Sequence, residues 1–351
     1  MGQVLALRRE AGTSEAERAR QLVTEHLTAL DYRVEIQRFR FHPSGLLAFP
    51  VFGAGLGGLA LLLLPLLTMP GIPGWGALLV SVTGLAALAV LSAGVALGWV
   101  ALGGGAREDA NLIATRGPQP VRRWIVAHLD TKAQIQSMAG RLVAVWIIGL
   151  AIVALTALSV LRLWAPLQLG PAGAGAALAI VAGALAGRGR LRGTSPGARD
   201  NGSGLCAALA AAESSSDRGT GVLVTGAEEF GLVGSRVFGR LESAALRNAQ
   251  VVNLDTIDAE GDLYLVSHDR RGARLAADTA PGLGGLGVRV RARRLPLGIV
   301  VDSLPLARAG ASAITIGRLT WRTLRIIHTP RDTPDGFSFE MAERVGRALV
   351  S

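Results

Sequence analysis

The sequence predicts an α/β domain on a mixed, largely parallel central sheet flanked by helices, with four transmembrane α-helices inserted as two hairpins. Three observations predict it. Short apolar runs at 124–127, 221–225, 251–254 and 313–317 alternate with helix-like stretches, the pattern of a sheet covered by helices. Residues 46–102 carry no charge at all, and residues 142–187 carry only Arg162. Residues able to bind metals or move protons stand just past the apolar runs, where open α/β sheets carry their sites.

The first element is an amphipathic helix. Ser14 and Glu17 have capping-box spacing, and Ala19, Leu22, Val23, His26, Leu27 and Leu30 follow at helical intervals, giving about four turns. Tyr32 to Phe41 alternates, with Val34, Ile36 and Phe39 against charged neighbours, as a half-buried strand does. Leu46–Thr68 and Gly76–Leu102 then each reach the roughly 20 residues that cross a hydrocarbon core, joined by a turn at Pro70, Gly71, Pro73 and Gly74. Leu142–Leu161 and Gln168–Gly187 form the second pair. The expected division is therefore 1–45, 103–141 and 188–351 as parts of one peptide-chain domain, with hairpins at 46–102 and 142–187. Beyond the second hairpin, Leu205–Ala212 reads as a helix after a glycine-rich turn, and Phe339–Val350 as a closing amphipathic helix.

Charge orients the hairpins. Trp75 and Trp164 fall at the turn ends and Trp99 and Trp146 near the opposite ends, positions favoured by interfacial tryptophan. Arg33, Arg38 and Arg40 precede the first hairpin. Six basic residues, from Arg107 to Arg141, lie between the hairpins, and Arg188, Arg190, Arg192 and Arg199 follow the second. By the positive-inside rule both termini and every candidate ligand face the cytoplasm, as in a multi-pass protein of a bacterial inner membrane. The second hairpin falls between His128 and Asp200, so its ends are expected to return close to both and to make the site juxtamembrane.

The net charge of +10 does not indicate nucleic acid. Lys132 is the single lysine, no stretch interleaves arginine with aromatics, and no nucleic-acid motif occurs. Cys206 is the only cysteine, which rules out an intramolecular disulfide. Residues 1–10 contain no apolar core leading to a small-residue cleavage site, so a removable signal peptide is not expected.

The candidate site residues are His128, Asp200, Glu228, Glu229, Asp255 and His328. Zinc takes imidazole nitrogen and carboxylate oxygen, and a two-ion centre needs about five ligands plus a separate general base. Singly, each residue has a bland reading. His128 could be a core histidine paired with Asp130, Asp200 in Asp200-Asn201-Gly202 a turn or helix cap, Asp255 a strand end and His328 a loop histidine. Glu228-Glu229 is harder to dismiss as surface charge, because it follows an apolar strand and precedes Phe230-Gly231-Leu232. His26, His42 and His268 have no comparable context.

Together these blocks resemble the M28 family of zinc aminopeptidases. The matching stretches are His128-Leu129-Asp130, Pro196 to Gly204, Glu228 to Ser235, Asn253-Leu254-Asp255 and His328 to Thr333. The resemblance implies a zinc-exopeptidase-like, phosphorylase/hydrolase-like fold with two zinc ions. Asp200 would bridge the ions, His128 and Asp255 would complete one, and Glu229 and His328 the other. Glu228 would be the general base, and Asp130 would accept a hydrogen bond from His128 and fix its tautomer. Asp302 matches a less specific position near the site.

The function implied is a membrane-anchored aminopeptidase acting on peptide substrates, with the lipid bilayer as its other partner. The sequence leaves the oligomeric state open. A second enzyme reading is a glutaminyl-cyclase-like aminoacyltransferase holding one zinc, which the run His128 to Lys132 somewhat resembles. The non-enzymatic reading is a membrane scaffold that keeps the fold alone.

Overall fold

The computed structural model describes residues 1–296 and 298–350. It divides into two compact units. One comprises Met1–Phe41, Ala106–Ala133 and Gly193–Ser351, and the other His42–Gly105 and Gln134–Arg192.

The strands are β1 (Arg33–Phe41), β2 (Arg107–Thr115), β3 (Arg123–His128), β4 (Thr220–Thr225), β5 (Gln250–Ile257), β6 (Asp262–Ser267), β7 (Val290–Arg294) and β8 (Ser312–Leu319). The helices of nine residues or more are α1 (Ser14–Ala29), α2 (Ala48–Thr68), α3 (Gly74–Ala96), α4 (Met138–Leu161), α5 (Leu169–Gly187), α6 (Gly204–Ser214), α7 (Val233–Leu241), α8 (Arg270–Leu283) and α9 (Glu340–Ala348).

In the first unit all eight strands form one sheet, ordered β1-β2-β4-β3-β5-β8-β6-β7. Its centre, β4-β3-β5-β8, is parallel, which explains the unbroken apolar runs: strands covered on both faces have no solvent side to mark with polar residues. Ile125, Ala127, Val252, Leu254, Ile314 and Ile316 point to one face, where α6, α8 and α9 supply Ala207, Leu275 and Val345. Trp124, Val126, Leu223, Val251 and Ala313 point to the other, against Phe238 of α7.

The antiparallel borders escape the apolar-run criterion. β2 begins Arg107-Glu108-Asp109 and pairs with β1 along its full length, while the edge strand β7 is largely exposed and arginine-rich. The α1 cap also differs from expectation. Thr13, one residue earlier than Ser14, accepts the Ala16 N–H at 3.2 Å.

In the second unit α2 to α5 form a four-helix bundle, each helix long and apolar enough to cross a membrane. Small residues set the packing. Ala172, Ala176, Ala179, Ala182 and Ala186 of α5 are buried, and a Cβ on Gly183 would lie 2.5 Å from the Gly53 carbonyl oxygen. α3 stops at Ala96, short of the expected Leu102, because Gly98 adopts φ 75° and turns the chain. Pro171 falls in the first turn of α5, where no helical N–H is lost. Arg162, the one charge of the turn ends, is buried and donates to the carbonyls of Leu66, Met69 and Ile72 at 3.0, 3.0 and 2.6 Å.

Candidate metal centre

The parallel strands deliver the site. β3 ends at His128, which pairs in register with Thr225, the last residue of β4, and Glu228 and Glu229 follow three and four residues later. β5 was expected to end at Asp255 but continues to Ile257 through an irregularity in its pairing with β8 between Leu254 and Ile257. Thr256 sits there at φ 56°.

The freed backbone groups of β5 are taken up by the loop that carries Asp200. Asn201 Nδ2 donates to the Leu254 carbonyl at 2.8 Å, and its Oδ1 accepts from Thr256 N at 3.2 Å and Gly204 N at 3.0 Å. Ser203 Oγ accepts from Ile257 N at 2.8 Å. Residue 204 has to be glycine here, since a Cβ would fall 2.1 Å from Asn201 Oδ1 and 2.3 Å from the Leu254 oxygen. The Asp-Asn-Gly-Ser-Gly run thus clamps Asp200 to the bulge beside Asp255.

Five of the sequence-selected residues form two groups that share one member. Ligand-capable atoms of His128, Asp200 and Asp255 all lie within 4.8 Å of one another, as do those of Asp200, Glu229 and His328. Asp200 faces both imidazoles, with Oδ1 3.2 Å from His128 Nε2 and Oδ2 3.0 Å from His328 Nε2. Asp255 Oδ1 lies 4.0 Å from His128 Nε2, and Glu229 Oε2 3.5 Å from His328 Nε2. Glu228 adjoins the first group, its Oε2 4.0 Å from His128 Nε2. Backbone strain collects here: Ala227 and His328 are held at φ 50° and 62°, a region non-glycine residues avoid.

Asp130 acts differently from expectation. His128 Nδ1 meets the main-chain carbonyl of Asp130 at 3.0 Å, whereas the carboxylate oxygen is 3.7 Å away. The carboxylate instead accepts the N–H of Glu228 on Oδ1 and of Glu229 on Oδ2, both at 3.0 Å. The tautomer of His128 is therefore set by backbone, and the Asp130 side chain orders the Glu228-Glu229 turn. Asp302 is fully buried behind the site, where it accepts from the Thr225 hydroxyl. His26 and His268 lie outside the centre, paired with Glu213 and Ser303.

Three further residues escaped the sequence reading. Asp332 accepts the Arg199 N–H on Oδ1 at 2.9 Å and the Asp200 N–H on Oδ2 at 3.0 Å. Arg9, fully buried, donates to the carbonyls of Leu129, Pro196 and Gly197 at 2.8, 2.7 and 3.1 Å, tying together the loops that bear Asp130 and Asp200. Lys132 places Nζ 2.5 Å from Glu229 Oε2. For Asp332 and Lys132 the signal in the sequence was a place inside or beside the motifs, and Arg9 gave none, since it bonds to carbonyl oxygens, which any residue supplies.

The donor set fits a metal. His128 Nδ1 faces a carbonyl, so it carries the ring proton and Nε2 presents a lone pair to carboxylate oxygens. Acceptors facing acceptors need a positive charge between them, which a metal ion supplies or, without one, a proton on each Nε2. Glu229 Oε1 and His328 Nδ1 are buried without a partner. Electrostatics agree. Burial, reinforced by neighbouring acids, pushes Asp130 and Asp255 up to about 7 and Glu228 well above the ordinary range. Asp200 is held far below it, because hydrogen bonds from both histidines outweigh its burial. Burial alone would lower His128, but Glu228, Asp200 and Asp255 together raise it well above its usual value. Carboxylates crowded in this way are what a divalent ion relieves.

Residues 185–351 match the family model described as Peptidase family M28, so the M28 resemblance read from the motifs holds over that stretch. No curated protein matches the chain. Among solved structures, a zinc aminopeptidase from Bacillus subtilis aligns with TM-score 0.58 at 15% identity, covering 99% of this chain and 90% of that one. The Fimbriiglobus ruber glutaminyl cyclase aligns with TM-score 0.57 at 16% identity, over 99% and 90%. The Porphyromonas gingivalis glutaminyl cyclase gives TM-score 0.56 at 15%, over 99% and 93%. Zinc aminopeptidases and glutaminyl cyclases thus share this chain's mixed α/β fold.

Proposed function

We propose that the chain is a dizinc aminopeptidase held in a membrane by its two hairpins. The observation that carries this reading is the pair of ligand groups joined by Asp200. His128, Asp200 and Asp255 would hold one ion, and Asp200, Glu229 and His328 the other. Zinc bound there would supply Lewis-acid polarisation of the scissile carbonyl and ease deprotonation of water.

The chain's own residues supply the proton transfers and the order. Glu228 is the general base. Burial raises its carboxyl and makes it a stronger proton acceptor than a surface glutamate, so it removes a proton from the attacking water and passes it to the leaving amine. Asp130 fixes the backbone from which Glu228 and Glu229 project, Asp332 does the same for Asp200, and the Asp130 carbonyl keeps the His128 lone pair on Nε2. The membrane reading rests on four apolar helices and on charge asymmetry: Arg162, the only charge of the turn ends, is committed to three carbonyls, while the arginines stand at the opposite ends. On this reading the peptidase unit would face the cytoplasm from a bacterial inner membrane, as the positive-inside rule suggests.

Metal analysis of the detergent-purified chain, with a screen of aminoacyl fluorogenic amides and of peptides beginning with glutamine, tests the reading. Two zinc ions with amide cleavage that Glu228→Gln abolishes are expected. One zinc with cyclisation of glutamine would replace it with a cyclase, and no zinc with no turnover would leave a scaffold.

A further inference from the structure

We propose that Lys132 makes the two metal positions unequal, standing as a resident cation on the Asp200/Glu229/His328 group and leaving tight binding to the His128/Asp200/Asp255 group. This rests on the dizinc reading above. Lys132 is the chain's only lysine, is 5% exposed, and has Glu229 as its sole ion-pair partner among the described residues. Its Nζ lies 2.5 Å from Glu229 Oε2, the same oxygen that stands 3.5 Å from His328 Nε2. The ammonium therefore abuts the oxygen that the second group presents, while Glu229 Oε1 is buried without a partner.

Among the described residues, nothing equivalent touches the first group. Asp255 Oδ1 accepts only the Thr256 hydroxyl, at 3.0 Å, and otherwise faces His128. Asp200 gives one oxygen to each histidine and belongs to both groups equally. An ion in the first group meets two carboxylates free of any cation. An ion in the second meets two carboxylates of which one is already neutralised, and it sits within a few ångströms of a like charge that burial leaves poorly screened. Lys132 also restricts Glu229 to a single oxygen for any metal. The first position accordingly fills at lower free zinc than the second, and the occupancy of the second follows zinc supply.

The test is a zinc titration of the metal-stripped, detergent-purified full chain against a chromophoric chelator, with bound ions counted by native mass spectrometry. The wild type is expected to load in two steps separated by roughly 10-fold or more. Asp255→Ala should remove the tight step and His328→Ala the weak one. Lys132→Met should strengthen the weak step by roughly 10- to 100-fold and merge the two, whereas Lys132→Arg, which keeps the charge, should preserve the separation. Two equal sites in the wild type, a tight step that survives Asp255→Ala, or a weak step that Lys132→Met leaves unchanged would each overturn the proposal while sparing the dizinc reading. A wild type that binds no zinc overturns both. Should Lys132→Met fail to fold, as judged by its thermal melt, the wild-type steps and their assignment by the Asp255 and His328 variants still decide the matter.

Discussion

Asp332 holds Asp200 through the main chain, its Oδ2 accepting the Asp200 N–H at 3.0 Å while Oδ1 accepts the neighbouring Arg199 N–H at 2.9 Å. Asp332→Ala would strand two amide donors, at a cost of about 1–3 kcal/mol each. The expected outcome is a lower melting temperature together with weaker zinc retention, by roughly 10- to 100-fold. Asp332→Asn, which can satisfy one of the two donors, should fall between wild type and Asp332→Ala on both measures. Melts in detergent and a chelator competition read them out.

Asp130 gives a sharper separation of roles. Its carbonyl orients His128 whatever side chain the residue bears, but its carboxylate alone orders the Glu228 and Glu229 amides. On the dizinc reading proposed above, Asp130→Ala should therefore retain an ion at His128 while losing one at Glu229, and turnover should drop by roughly 10- to 100-fold. One zinc per chain by native mass spectrometry is the expected reading. Loss of both ions would show that the side chain, after all, governs His128.

Arg9 tests how far the site depends on a distant guanidinium. It is fully buried and donates to the carbonyls of Leu129, Pro196 and Gly197, and at 3.5 Å to that of Val4, so Arg9→Met removes those bonds, although the Gly197 carbonyl keeps the Gly202 N–H at 2.8 Å. A loss of roughly 3 kcal/mol or more is expected in chemical denaturation. Arg9→Lys should recover little, because an ammonium cannot span the fork that the guanidinium bridges.

His268 predicts a pH dependence away from the metal centre. Its Nε2 lies 2.7 Å from Ser303 Oγ, and burial, aided by Arg308 and opposed by Asp269, holds the ring below its ordinary pKa. The folded state thus prefers the neutral imidazole. Its contribution to stability is present above the unfolded histidine value of about 6.5 and is lost as pH falls through the lower folded value. The wild-type melting temperature should fall faster than that of His268→Gln as pH is lowered through that window.

The candidate ligands were legible because a buried parallel strand reads as an apolar run and the first polar residue beyond it marks the sheet edge. His128, Glu228 and Glu229 are of this kind. Asp255 was legible although its strand runs two residues past it, since the bulge that re-aims it depends on Asn201 and Ser203, some fifty positions away. β1 showed itself by alternation, whereas β2 and β7 did not: β2 opens on three charges, of which Asp109 is buried against Arg20, and β7 is arginine-rich at the sheet edge. Lys132 and Asp332 sat inside recognisable motifs, but their tasks depend on distances that no spacing reveals. Asp130 lies beside the candidate centre, but its carbonyl, not the carboxylate that the sequence suggested, meets His128.

The bonds of Arg9 also impose an order on biosynthesis. Of its partners beyond the N-terminal segment, Leu129 follows the first apolar hairpin, and Pro196 and Gly197, 187 and 188 positions beyond Arg9, follow the second. A nascent chain consequently cannot complete the bonds of this guanidinium until the ribosome has finished both hairpins. Polypeptides released early, or stalled with one hairpin made, cannot close the loop that carries Asp200. The loop that carries Asp200 is therefore tied down only after all four apolar helices have been made, and the chain's far end, not its start, decides when the candidate centre can assemble.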